Sequence, residues 1–144
     1  MNLTTPTSIN EEILNFCQEI DSTSNLIFVD VIPTKEAVYN QCYENVEKHL
    51  NENGGKVQYG WVIWEAPKIY LEAEFHALWV DKDGRYVDVT PHKDGEENVL
   101  FLKDSYKKFT GELVDNIRKP LVDTAEARTA VIYGKKRFEI LIKY

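Results

Sequence analysis

The sequence predicts a single α+β domain, residues 1–144, in which N-terminal helices pack on an antiparallel sheet. Two patterns support this fold class. Apolar residues recur at helical spacing near the N-terminus, and a later segment holds three neighbouring runs with strand-like composition. The length of 144 residues is close to the commonest size of one domain. Helices followed by adjacent strands favour an antiparallel α+β layer over alternating βαβ units.

Two helices are predicted in the first third of the chain. The first covers residues 9–20, with Ser8 as its N-cap and Glu11 in capping-box position. The second begins near Lys35 or Asn40 and ends near Asn51, before a pair of glycines that is typical of a helix C-terminus.

The strands are predicted from alternation and from short apolar runs. They cover residues 25–32, 57–65, 69–80 and 85–89. Toward the C-terminus, a helix is predicted between Lys103 and Arg118. A closing hairpin of residues 128–133 and 137–144 is predicted around Gly134.

The charge balance argues against several partners. The chain has 17 basic and 24 acidic residues, a net charge of −7, whereas a nucleic-acid-binding protein needs an excess of Lys and Arg on one face. No apolar run approaches the length of a membrane span, and no secretory segment opens the chain. We therefore expect a cytoplasmic protein that binds neither nucleic acid nor membrane. The frequent Lys, Asn, Ile and Tyr hint at a bacterial or phage source.

The two cysteines have different surroundings, and in a reducing compartment neither is expected in a disulfide. Cys17 lies in the apolar stripe of the first helix, which predicts a buried core residue. With Asn40 as N-cap, Cys42 would lie in the first turn of the second helix, where free N–H groups and the helix dipole stabilise a thiolate. Its spacing to Val46 and Leu50 also fits a plain core position.

His76 and Asp88 lie on neighbouring predicted strands. A hairpin loop of three to five residues would bring His76 opposite or next to Asp88, whereas a slip of one residue would put Asp88 on the other face. A carboxylate beside the imidazole selects its tautomer and favours its charged form. Asp is also unfavourable within a strand such as Val87-Asp88-Val89, so its presence there calls for a functional reason.

These motifs resemble those of the transglutaminase-like superfamily. The pattern is a Cys that opens a helix, then a strand with His-Ala-x-x-Val, a short turn and Val-Asp-x-Thr-Pro. The superfamily includes arylamine acetyltransferases and peptide-cleaving relatives, all with a papain-like arrangement. The resemblance covers residues 39–91, so the catalytic-like core is placed at about 35–95.

The resemblance implies a papain/transglutaminase-like core and a catalytic triad. Cys42 would be the nucleophile, His76 the general base and acid, and Asp88 the orienting carboxylate. The chain departs from the family at Gln41 and Tyr43, where Gly or Trp often flanks the Cys. It also has Val89 between the Asp and the Thr-Pro pair.

The expected function is a cysteine-dependent hydrolase or acyltransferase that acts on an amide or peptide bond of a protein or peptide-like substrate, with no cofactor. The oxyanion would lie against the Cys42 backbone N–H and the side chain of Asn40 or Gln41. Trp61, with the other two Trp side chains, would line the groove. Hydrolysis, acyl transfer and deamidation of a glutamine side chain all remain open, as does the oligomeric state.

Other functions were weighed from the same residues. Cys42, His49, His76 and His92 include ligand types for zinc but lack paired ligands at short spacing, so no metal is expected. The carboxylates Glu65, Glu72 and Glu74 suit sugar chemistry, but a solvated strand face explains them more simply. The main alternative is a non-enzymatic protein-binding module or a phage or bacterial regulator, in which Cys42 is structural.

Overall fold

The computed structural model describes residues 1–143, which form a mixed α+β fold of three helices and six strands. In chain order the elements are α1 (Glu11–Ile20), β1 (Leu26–Asp30), α2 (Cys42–Asn53), β2 (Lys56–Ala66), β3 (Tyr70–Val80), β4 (Tyr86–Val87), β5 (Asn98–Lys103), β6 (Ile117–Pro120) and α3 (Ala125–Lys143). The α+β class predicted from the sequence is confirmed at this level.

The first two helices begin slightly later than predicted. Asn10, not Ser8, is the N-cap of α1, and its side chain accepts a hydrogen bond from the N–H of Ile13 at 2.9 Å. Gln41, not Asn40, is the N-cap of α2. Asn40 has a φ of 68°, so its backbone lies in the left-handed region and cannot take the extended conformation usual at an N-cap.

The predicted C-terminal hairpin is wrong, because its residues form α3. Thr124 begins this helix: its carbonyl accepts from the N–H of Arg128, and its hydroxyl accepts from the N–H of Ala127. Gly134 is a close-packing position here and not a turn, since a Cβ there would lie 2.1 Å from Nε of Arg118. Tyr144, the last residue of the predicted hairpin, lies outside the described residues. Within residues 1–143, none of the helices combines the length and the apolar content needed to cross a membrane.

The predicted helix between Lys103 and Arg118 is also wrong. Lys103 ends strand β5, which was not predicted from the sequence. Residues 104–116 then form an irregular segment before β6. Oδ1 of Asp104 accepts hydrogen bonds from the N–H groups of Tyr106 and Lys107, and this turn starts the irregular segment. Residues 99–102 of β5 are buried on both faces, so they show no alternation that would identify a strand.

The six strands form one sheet that curls nearly into a barrel. Its order is β1-β5-β2-β3-β4, with β6 also paired to β3, and every strand pair is antiparallel. The chain just after β1 meets the chain just after β4 in a parallel bridge between Val31 and Asp88. The N–H of Ile32 donates to the carbonyl of Asp88 at 2.9 Å, which ties the two ends of the sheet together.

The two faces of the sheet bury different clusters. The inner face holds Val29, Val62, Leu78, Val99 and Phe101. The outer face is covered by α1, through Ile13, Phe16 and Cys17, and by α2, through Cys42 and Val46, which contact Ala77, Val87 and Val89. Both N-terminal helices therefore pack on one face of the antiparallel sheet, as the sequence predicts.

One edge of β3 has a gap in its strand pairing. The other edge pairs with β2 along the whole of β3. At the gapped edge, residues 70–73 pair with β6 and residues 79–80 pair with β4. Residues 74–78 have no strand partner there, and we call this stretch the open edge of β3. The hydroxyl of Tyr43, on α2, donates to the carbonyl of Phe75 at 3.3 Å, so the start of α2 covers the open edge.

Replacement of the inner-face residue Phe101, which has 0% exposure, should destabilise the fold strongly. Phe101→Ala removes a buried ring and leaves a cavity, so the free energy of unfolding should fall by about 3–5 kcal/mol. Urea denaturation followed by tryptophan fluorescence measures this change. Phe28→Ala is the matched control, because Phe28 lies on the neighbouring β1 and is 44% exposed. Equal losses in the two variants would contradict the assignment of the inner core.

Candidate active site

Helix α2 presents Cys42 at its first residue, as the sequence predicts. The first backbone bond of the helix runs from the N–H of Asn45 to the carbonyl of Gln41 at 2.9 Å. The N–H groups of the first turn have no carbonyl partner within the helix, and they carry the positive end of its dipole. Cys42 is buried, with 8% exposure, and packs against Ala77 of β3.

The hairpin of β3 and β4 brings His76 and Asp88 together. Trp79 pairs with Val87, and this register places Asp88 on the same face as His76. Nε2 of His76 lies 2.9 Å from Oδ1 of Asp88. An ionised carboxylate can only accept hydrogen bonds, so Nε2 of His76 carries the proton. The other ring nitrogen, Nδ1, does not bond the carboxylate, and Cys42 lies near enough to His76 for its charge to raise the pKa of the imidazole.

A second imidazole contacts the same carboxylate. Nε2 of His92 lies 2.6 Å from Oδ2 of Asp88, and the N–H of Thr90 donates to Oδ1 at 3.2 Å. Asp88 has 0% exposure, so these three donors replace water around its charge. From the sequence, His92 is a candidate only for a zinc ligand. The one indication of a role beside Asp88 is that His92 lies four residues after it, beyond the Thr-Pro pair.

The buried side chain of Asn45 connects α2 to this cluster. Its amide nitrogen donates to the carbonyl of Val38 at 2.9 Å and to the hydroxyl of Thr90 at 3.1 Å, and its oxygen accepts from the N–H of Val38 at 3.1 Å. The helix that carries Cys42 is thereby fixed to the turn that holds Asp88. The sequence alone gave no indication of this contact, which spans 45 residues.

The surroundings shift the pKa values of His76 and Asp88 in opposite directions. Burial would lower the pKa of His76, but the charges of Asp88 and Cys42 and hydrogen bonds to both raise it well above its usual value. Burial would raise the pKa of Asp88, but the charge and hydrogen bond of His76 and the contact with His92 hold it well below its usual value. The site therefore favours an imidazolium–carboxylate pair.

Aromatic side chains lie beside Cys42. Tyr43 stacks on Phe109 of the 104–116 segment at 3.7 Å between ring centroids, and it also contacts Tyr59 and Phe75. Burial raises the pKa of both Tyr43 and Tyr59, and the charge of Cys42 adds to the shift in each case. Two phenol groups are thus within electrostatic reach of the thiol.

The predicted groove above His76 is not open in this structure. His76 is 4% exposed, and Cys42 and Asp88 are also buried. Two surface cavities, of about 220 and 320 Å³, lie along the second half of α2 and the 32–37 segment. Both are lined by Thr34 and His49, and neither is lined by a residue of the Cys42, His76 and Asp88 group. A substrate would reach Cys42 only after movement of the covering segments.

The three residues predicted to bind the oxyanion or the substrate lie in different places. Asn40 and Gln41 are exposed and directly precede Cys42, so their predicted role stays a prediction. Trp61 is 4% exposed and packs in the outer-face core that contacts α1. Its Nε1–H donates to Asp104 at 3.0 Å, and its predicted role in lining a substrate groove stays a prediction.

His76, Asp88 and His92 are also the kinds of residue that hold a metal ion. Their ligand atoms lie within 4.8 Å of one another. In this structure each imidazole bonds the carboxylate directly through its Nε2 atom. His49, the other zinc candidate from the sequence, lies apart from them and packs edge-on against Trp79 at 4.3 Å.

Cys17 has the structural role that the sequence predicts. It has 0% exposure within α1, and burial raises the pKa of its thiol to about 12. Both cysteines are free. Cys42 is therefore the better candidate for thiol chemistry, since it alone lies beside a histidine and at the start of a helix.

Comparisons with known proteins provide no assignment for this site. No protein-family model matches the chain, no curated protein matches it, and no solved structure matches its fold. The function must therefore be inferred from the geometry of the residues.

The His76–Asp88 pair should make stability depend on pH in a bounded window. The raised pKa of His76 stabilises the fold fully below its unfolded pKa of about 6.5, and this contribution is lost as the pH rises through the folded pKa. The lowered pKa of Asp88 contributes above its unfolded pKa of about 3.9 and is lost as the pH falls. The pair should therefore contribute most between about pH 4 and 6.5.

Asp88→Asn tests this window, because it removes the charge with little change in size. The free energy of unfolding should fall by about 3–5 kcal/mol within the window and by less outside it. Urea titrations at pH 3.5, 5.5 and 8.5 measure the difference. These pH values lie below the unfolded Asp pKa of about 3.9, between the two pKa values, and above the unfolded His pKa of about 6.5. Asp30→Asn, an exposed carboxylate bonded to Asn98, is the control and should show a small loss throughout. A loss in Asp88→Asn that is the same at all three pH values would contradict the ion pair.

Proposed function

We propose that this protein is a cysteine-dependent hydrolase or acyltransferase that acts on amide or peptide bonds through Cys42, His76 and Asp88. One observation carries the proposal: His76 is bonded to Asp88 at Nε2 and is also within electrostatic reach of Cys42, which opens a helix. This order of nucleophile, base and orienting carboxylate is the arrangement that activates a weak nucleophile.

The chemistry follows from the tautomer of His76. With its proton on Nε2, neutral His76 offers an unprotonated Nδ1 that takes the proton of the Cys42 thiol. The resulting imidazolium is stabilised by Asp88, and the thiolate is stabilised by the helix dipole. The thiolate attacks the substrate carbonyl carbon, and the imidazolium then returns its proton to the leaving amine. Water or an amine attacks the acyl-enzyme and releases the product.

The negative charge that develops on the carbonyl oxygen of the substrate must be stabilised by hydrogen-bond donors near Cys42. The N–H groups of the first turn of α2, including that of Cys42 itself, are the nearest preorganised donors. The exposed side chains of Asn40 and Gln41 flank the same turn and are suited to add a further donor.

The arrangement is consistent with a papain/transglutaminase-like core within residues 35–95. A helix that begins with the nucleophile packs on an antiparallel sheet whose adjacent strands supply the His and the Asp. A protein or peptide-like amide is the proposed substrate, because the imidazolium of His76 supplies the proton that an amine leaving group needs. A reducing compartment such as the cytoplasm would keep the thiol of Cys42 free.

The reactivity of Cys42 with iodoacetamide tests the proposal directly. In a Cys17→Ser background, Cys42 should react rapidly at pH 6, well below the usual thiol pKa of about 8.5, because His76 holds it as a thiolate. His76→Ala should slow the reaction at this pH by at least about tenfold, because the imidazole that takes the thiol proton is lost. Mass spectrometry of quenched samples gives the rate.

His49→Ala is the matched control, since His49 lies on the same helix but packs against Trp79. This variant should keep the rate of the parent protein. Slow alkylation of Cys42 that is indifferent to His76 would overturn the catalytic proposal and favour the non-enzymatic binding module. Where Cys42 is reactive, p-nitrophenyl acetate should leave an acetyl group on Cys42 and not on the Cys42→Ala protein.

Access to Cys42 should depend on Phe109. Its ring stacks on Tyr43, the next residue after Cys42, and so holds the 104–116 segment against the start of α2. Phe109→Ala removes this contact and should speed the alkylation of Cys42 by a bulky maleimide several-fold, with less effect on small iodoacetamide. Tyr106→Ala, at a side chain that is 87% exposed, is the control. Equal rates in the two variants would show that this segment does not cover the thiol.

A further inference from the structure

We propose that His92 is a positioning residue for the reaction: its Nε2–H holds Asp88 in the orientation that keeps His76 in its base-competent tautomer. This inference rests on the proposed function. It assigns a role to a residue outside the predicted triad, and it stands on the contacts of a buried carboxylate whose two oxygens are held by different partners.

The two oxygens of Asp88 have unequal partners. Oδ1 accepts from His76 and from the N–H of Thr90, at 2.9 and 3.2 Å. Oδ2 accepts from His92 at 2.6 Å. Because Asp88 has 0% exposure, water cannot take the place of His92 at Oδ2. Without that donor, Oδ2 would be a buried acceptor with no partner, so the carboxylate would turn to share the two donors of Oδ1 and its bond to His76 would weaken.

The fold also fixes His92 where it is. Its side chain is 6% exposed, its ring lies 5.2 Å from the ring of His76, and the edge of Trp64 packs against it at 5.5 Å. The Thr90 turn that precedes it is held by Asn45 of α2. Such a network limits the ring to one orientation, which is what a positioning group requires.

The protonation of His92 follows from the charges around it. The charged and titratable groups facing it are the Asp88 carboxylate and His76, whose other side faces Cys42. An ionised carboxylate can only accept hydrogen bonds, so Nε2 of His92 carries a proton and donates to Oδ2 of Asp88.

Two substitutions of His92 distinguish a positioning role from a role that depends only on the volume of the side chain. His92→Gln keeps a neutral N–H donor at nearly the same reach, whereas His92→Leu keeps the volume without a donor. In the Cys17→Ser background, His92→Leu should slow iodoacetamide alkylation of Cys42 by about tenfold to a hundredfold, the typical effect of a misplaced group. His92→Gln should stay close to the parent rate. Equal rates in all three proteins, or equal losses in both variants, would overturn the proposal.

Nitrogen NMR provides a second test, and its first part uses the unsubstituted protein, so it does not depend on folding of the variants. Nε2 of both His76 and His92 should carry a proton, and in His92→Leu the Nε2–H signal of His76 should shift as its hydrogen bond to Asp88 weakens. An Nδ1–H tautomer for His92 in the unsubstituted protein would overturn the positioning role. This readout is separate from the proposed function, which fails when Cys42 alkylation in the parent protein is indifferent to His76→Ala.

A metal ion is the competing explanation for two imidazoles on one carboxylate. Elemental analysis of the purified protein, with and without prior chelation by EDTA, tests it. We expect no stoichiometric zinc and no change in Cys42 alkylation after chelation. Stoichiometric zinc in the parent protein that both His92 variants lack would make His92 a ligand and would overturn the positioning role.

Discussion

A carboxylate without exposed surface is stable only when donors surround it, and Asp88 meets this condition with His76, His92 and the N–H of Thr90. The backbone of the same residue closes the sheet. Its N–H donates to the backbone carbonyl of Asp30 at 3.0 Å, and its carbonyl accepts from the N–H of Ile32 at 2.9 Å. Fold closure and the candidate chemistry therefore depend on one position. A change that removes the charge of Asp88 acts on stability and on His76 together.

The open edge of β3 explains how a helix on the outer face contacts a histidine of the inner face. Continuous pairing there would separate the two, but residues 74–78 have no strand partner on that side. The start of α2 fills the space, so Cys42 meets His76 and Tyr43 caps the carbonyl of Phe75. The same packing buries the site, since Phe109 covers Tyr43 from the 104–116 segment. The packing that brings Cys42 near His76 also limits access to both residues.

Local sequence patterns were sufficient to predict α1 and β3, but they were insufficient to predict β5 and α3. The alternation of β3 and the apolar stripe of α1 identify those elements, because each has one face toward a core. β5 is buried on both faces and shows no period. The sequence around Gly134 suggests a turn, yet the helix there is stabilised by a contact with Arg118, which lies elsewhere in the chain. Tertiary packing overrode the local preference.

The sequence by itself identified the candidate residues: a thiol in the first turn of a helix, and a His and an Asp on neighbouring strands. Helix starts and strand alternation are local patterns, so they predict these positions, whereas the structure supplied the register that puts Asp88 on the face of His76. Only the tertiary structure decided that His92 joins Asp88, that Asn45 ties α2 to Thr90, and that Trp61 lies in the outer core. Those placements depend on how the sheet curls and where α2 packs, and neither is encoded in any single segment.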